Sequence, residues 1–93
     1  MMPIVWTETA RQDLREIIQY ISERNPAAAL RIGRSIESST ALLQEHPKLY
    51  RMSLRVPNCR EIIVHKNYIV LYQEEQDMIR VVNVIHARRN FPA

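Results

Sequence analysis

Apolar residues recur along this chain with two different periods, and the change between them divides it in half. Ala10, Leu14, Ile17, Ile18 and Ile21 return every three or four residues, with Arg11, Asp13, Arg15, Glu16, Gln19 and Glu23 between them. That spacing predicts an amphipathic helix of about four turns. Thr7 stands where an N-cap belongs, and Glu8 follows in the first turn, where the helix dipole favours a negative charge. Asn25-Pro26 restarts the pattern, since Asn caps well and Pro is tolerated at the first helical position. A second helix then has Ala29, Ile32, Ile36, Thr40 and Leu43 as its buried stripe and stops before His46-Pro47. Gly33 inside it costs about 1 kcal/mol relative to Ala. Two explanations are open: a close approach of the two helices, or a tolerated accident.

From Arg60 onward the runs shorten and fill with Ile, Val and Tyr. Arg60–His65, Tyr68–Tyr72 and Met78–His86, separated by Lys66-Asn67 and a polar turn, read as consecutive antiparallel strands. Pro3–Trp6 reads as a short first strand, and Lys48–Asn58 as an irregular connection with a short edge strand near Met52–Val56. The order is β-α-α-β-β-β, with a further β if that edge strand forms. This is an α+β layout, a helical hairpin on one face of a mainly antiparallel sheet. Ile69 and Leu71 point to one face, and Tyr68, Val70 and Tyr72 to the other, so both faces are apolar. Part of the second face, or a groove beside the helices, is therefore expected to be left for a partner. The alternative is a C-terminal tail that folds Phe91 back over that face.

Ninety-three residues suit one domain, spanning 1–93, with a single core. One cysteine, Cys59, rules out an intramolecular disulfide, and three dispersed histidines offer no zinc-like spacing, so neither metal nor cofactor is expected. No apolar run approaches membrane-spanning length and nothing resembles a signal peptide, which leads to the expectation of a cytoplasmic protein without a membrane partner. The net charge of +3 is unevenly placed: residues 1–47 hold five Arg against six acids, residues 48–93 eight Lys or Arg against four. The strand half carries the positive field, which suits a phosphate-bearing or acidic partner, though a basic surface also serves solubility.

Candidate chemistry gathers in the same half. His65 and Tyr68 become neighbours if the strands pair through Lys66-Asn67, with Arg60 at the far end of its strand, while His86, Arg88 and Arg89 follow the last run. Histidine beside Arg and Tyr can support phosphodiester cleavage, with His65 or His86 as base and Arg60 or Arg88 on the phosphate. The same set can bind phosphate or carboxylates. No carboxylate is placed beside either histidine, and no Ser or Cys has a base in register, so binding is the better expectation.

Arg55–Tyr72, reading RVPNCREIIVHKNYIVLY, together with Val81–Arg89, reading VVNVIHARR, resembles toxins of the RelE/ParE superfamily of bacterial type II toxin-antitoxin modules, within it the ParE branch. Trp6–Leu14, the helical hairpin and Glu45-His46-Pro47 fall in the same order. The resemblance implies a toxin neutralised in a hetero-oligomer by a cognate antitoxin that fills an apolar groove, with Leu14, Ile18, Ile21, Tyr68 and Tyr72 as contacts. ParE-like members are associated with inhibition of DNA gyrase; Arg60, His86, Arg88 and Arg89 are then the target contacts, and no residue is catalytic. RelE-like members are ribosome-dependent mRNA endonucleases. RelE has an Arg directly after the first Tyr of this segment, where this chain has Ile69, and its lysine-rich strand is matched here only by Arg51 and Arg55. Losing such a cation typically costs a factor of hundreds in rate. Other ribonucleases of the superfamily use histidines, and His65, His86 and Phe91 keep that option open, with the two histidines as catalytic residues. A non-toxic protein-binding module of the same fold is the third reading.

Overall fold

Two turns of helix chemistry place everything else. The computed structural model of the chain describes residues 1–88. β1 covers Ile4–Trp6, α1 Glu8–Arg24, α2 Pro26–Ala41, β2 Arg60–His65, β3 Tyr68–Glu74 and β4 Ile79–His86, with one 3₁₀ turn at Leu42–Gln44. Thr7 caps α1: its Oγ1 accepts from the Ala10 N–H at 3.0 Å and donates to the Val82 carbonyl at 3.1 Å, so the cap also fastens the helix to the sheet. Asn25 Oδ1 accepts from the Ala28 N–H, and Pro26 starts α2 one residue after α1 ends.

The sheet order is β1-β4-β3-β2, with β1 parallel to β4 and the other pairs antiparallel. Beyond the end of β1, α1 takes over the free edge of β4. Thr7 N–H donates to Val81, and Asp13 Oδ2 accepts from the Val84 N–H at 3.0 Å and from Asn83 Nδ2 at 3.1 Å. A buried N–H without a partner costs about 1–3 kcal/mol, so this carboxylate fixes the helix over the strand.

The helix-side core joins Ala10, Ile21, Ala29, Ile32, Ile36 and Leu43 to Ile62, Tyr68, Val70, Tyr72, Ile79, Val81 and Val84. The buried stripe of α2 is the one its spacing predicts. The other face departs from expectation. Ile69, Leu71 and Ile85 are buried with Cys59, and Val56, Val82 and Ala87 pack against them. The chain thus closes much of the face that was expected to stay open. The Arg55 guanidinium, donating to the Ala87 carbonyl at 2.6 Å, pins the 53–58 segment there. Apolar exposure survives at the margins, notably Ile63 on β2 at 58% and Leu54 at 91%. Phe91 lies outside the described residues.

The edge strand predicted near Met52–Val56 shrinks to one bridge, Met52 to Arg60. Ser53 Oγ accepts from the N–H groups of Arg55 and Val56, turning the chain out of the ladder, and Asn58 sits at φ 65°, a left-handed position Asn tolerates. Gly33 resolves as the accident. A Cβ there would meet only Ile18 Cδ1 at 3.8 Å, an ordinary contact, so no close helix approach requires it.

Candidate functional site

Cross-strand register brings three of the singled-out side chains into one row at an end of the sheet. His65 on β2 pairs with Tyr68 on β3, and Tyr68 pairs with His86 on β4. The rings follow: His65 and Tyr68 centroids are 5.9 Å apart, and His86 meets Tyr68 edge-on at 5.2 Å. Tyr68 belongs to the helix-side core, so the row lies on the face carrying α1 and α2.

Both imidazoles are oriented in the same way. His65 Nδ1 accepts from the Asn67 N–H at 3.1 Å, and His86 Nδ1 accepts from the Arg88 N–H at 3.2 Å. With Nδ1 an acceptor, the neutral ring carries its proton on Nε2. Each histidine therefore has its Nδ1 lone pair engaged by the backbone. No carboxylate among the described residues bonds to His65, Tyr68 or His86, while Lys66 and Arg88 are exposed at the turns beside them. The row is a line of donors with a cationic rim.

Arg60 is not part of it. At the far end of β2, its Nε and Nη2 donate to Glu74 Oε1 at 3.3 and 3.2 Å, and Nη1 donates to the Tyr50 carbonyl at 2.7 Å. Its side chain is 19% exposed, so this guanidinium holds β2, β3 and the 47–52 segment together. Arg60, expected on a target or a phosphate, is thus engaged within the chain, by a Glu74 carboxylate that the sequence reading did not single out. Arg51 makes the second such tie, donating from Nε and Nη2 to the nearly buried Glu61. Arg88 is exposed beside His86, and Arg89 lies outside the described residues.

The expected antitoxin contacts separate into two groups. Leu14 and Ile18 are half-buried and line an open groove on α1 with Arg15, Gln19, Ser22 and Glu23. Ile21, Tyr68 and Tyr72 are core: Tyr72 is fully buried and its hydroxyl donates to the Pro47 carbonyl at 2.9 Å, so its ring is closed to another chain. Alternation along a strand finds the shared face of Tyr68 and Tyr72 but not the helices lying over it. Cys59 is buried, and that burial lifts its thiol above the ordinary range, partly offset by Gln73. It is an inert core group. Among the described residues no cluster of His, Cys, Asp and Glu could hold a metal ion, and no helix is long and apolar enough to cross a membrane.

Residues 4–91 match the family model described as ParE toxin of type II toxin-antitoxin system, parDE. Toxin RelE2 of Caulobacter vibrioides is 32% identical over 96% of this chain and 99% of its own length. Putative toxin Y4kP of Sinorhizobium fredii is 32% identical over 96% and 92%. Among solved structures, one titled as the chromosomal ParDE TA system of P. aeruginosa superposes with a TM-score of 0.78 at 22% identity, covering 92% of this chain and 96% of that one. A YoeB/ParE toxin from Agrobacterium tumefaciens gives 0.65 at 11% identity, covering 91% and 98%.

Proposed function

This chain belongs to the ParE toxin family of type II toxin-antitoxin systems, and from that premise we propose that it poisons by binding rather than by catalysis, inhibiting DNA gyrase in the cytoplasm until a cognate antitoxin covers it. The observation that carries this reading is that Nδ1 of both histidines accepts from a backbone N–H. A general base needs a free lone pair aimed at the proton it removes. His65 and His86 both commit Nδ1 to a backbone N–H and present Nε2 as a donor. The nearest internal arginine of β2, Arg60, is occupied by Glu74 and the Tyr50 carbonyl. A donor row with a cationic rim suits recognition better than proton transfer. On this reading Arg88 and His86 contribute to the target surface, and the open groove at Leu14 and Ile18 receives an apolar segment of the antitoxin.

The test is supercoiling of relaxed plasmid by purified gyrase with the toxin in molar excess. Loss of supercoiling with accumulation of cleaved DNA is expected, and undisturbed supercoiling refutes the proposal. The second reading, an mRNA endonuclease, draws on the gathering of His65, Tyr68 and His86 at one place. Primer extension on translated mRNA after induction distinguishes the two: new 5′ ends inside codons favour the nuclease, and an SOS response without them favours gyrase. Unimpaired growth with folded toxin present, and no antitoxin, points instead to a non-toxic binding module.

A further inference from the structure

We infer that the His65–Tyr68–His86 row is a docking site for carboxylates of an acidic, amphipathic segment of the partner polypeptide, with both histidines serving as hydrogen-bond donors. The inference rests on the antitoxin part of the functional reading and specifies its chemistry. Three donor-bearing side chains stand side by side across the strands, His65, Tyr68 and His86, the two imidazoles fixed by backbone N–H groups two residues further on. Lys66 and Arg88, both exposed, stand beside them, and no acid among the described residues bonds to the row. Such a surface is short of acceptors, and the groups that supply two acceptors each without needing a donor in return are carboxylates and phosphodiesters.

A phosphodiester backbone is the weaker match. Nucleic-acid affinity grows with the number of phosphates that Lys and Arg neutralise, each releasing condensed counterions. Here Arg15, Arg51, Arg60 and Arg80 are spent on the chain's own glutamates. Tyr68 further belongs to the core against which Leu14 and Ile18 pack, and those two residues line the open groove. An amphipathic segment places apolar side chains there and acidic ones on the row, whereas a sugar-phosphate chain satisfies only the second. Charge complementarity at the row asks for an acidic occupant, and the apolar area of the groove for one with an apolar side.

The experiment measures binding of the purified cognate antitoxin to the wild-type toxin, to His65→Leu and His86→Leu, and to His65→Gln and His86→Gln, which keep a donor near the Nε2 position. Circular dichroism and Tm accompany each variant. A hydrogen bond to a charged acceptor corresponds to tenfold or more in Kd, so each Leu variant should weaken binding about tenfold or more and each Gln variant should recover most of it. Folded Leu variants that bind like wild type overturn the inference while leaving the antitoxin reading intact. Gln variants as weak as Leu overturn it too, since packing rather than donation is then at work. Absence of any antitoxin binding by wild type overturns both. A labelled single-stranded oligonucleotide that binds wild type but not His86→Leu assigns the row to phosphate and refutes the carboxylate assignment.

Discussion

Gly33 is a residue whose cost has no structural return. With φ in the ordinary helical range and space for a Cβ beside Ile18, Gly33→Ala should stabilise the fold by about 0.5–1 kcal/mol, raising Tm by several degrees in a thermal melt. Cys59 and Tyr72 set an alkaline limit. Burial raises the Cys59 thiol, and burial, opposed by hydrogen bonding and Arg60, raises the Tyr72 hydroxyl. A group whose folded pKa is raised holds its proton more tightly in the native state. Its stability contribution is complete below the unfolded pKa and is lost as pH rises toward the folded one. Urea midpoints should therefore fall as pH rises above about 9, and Cys59 should react with a thiol reagent far more slowly in the native than in the urea-unfolded chain. The face that Tyr72 shares with Tyr68 was legible in the sequence. The Nδ1 contacts of His65 and His86 were not, because they depend on how the backbone turns two residues later.

At the scale of elements, the helical hairpin was almost wholly readable, since Thr7, Asn25 and Pro26 are local signals and the stripes repeat often enough to fix a phase. The tie between α1 and β4 was not, because Asp13 reads as a surface acid on a polar face and meets Val84 only across 71 positions. Asp13→Ala should cost about 1–3 kcal/mol by leaving the Val84 N–H without a partner, with faster amide exchange at Val84 as the specific signature. The supposed strand at Met52–Val56 failed for a related reason. Turn chemistry at Ser53 and Asn58 outweighed the apolar count.

For the whole molecule, the sheet is held at one end by an ion pair and presents its donors at the other. Arg60→Ala removes both bonds to Glu74 and the one to Tyr50 in a site less than a third exposed. It should lower stability by about 1–3 kcal/mol, read from denaturant midpoints, while gyrase inhibition per folded molecule stays near wild type. Composition and the shift of period gave the α+β class because each half is consistent along its length. The face closed by Val56, Cys59 and Ala87 was hidden because it is built from a segment with no regular structure.

The parallel pairing of β1 with β4 has a consequence for synthesis. β4 lies in the middle of the sheet although it comes after every other described element, and Thr7 meets Val82 across 75 positions. A nascent chain halted before Ile79 leaves Ile4–Trp6 without a ladder partner and β3 bare along one side. Long-range closure of this kind is slow and cannot begin early. The folded sheet, and with it the row of His65, Tyr68 and His86, therefore cannot exist until synthesis has passed His86.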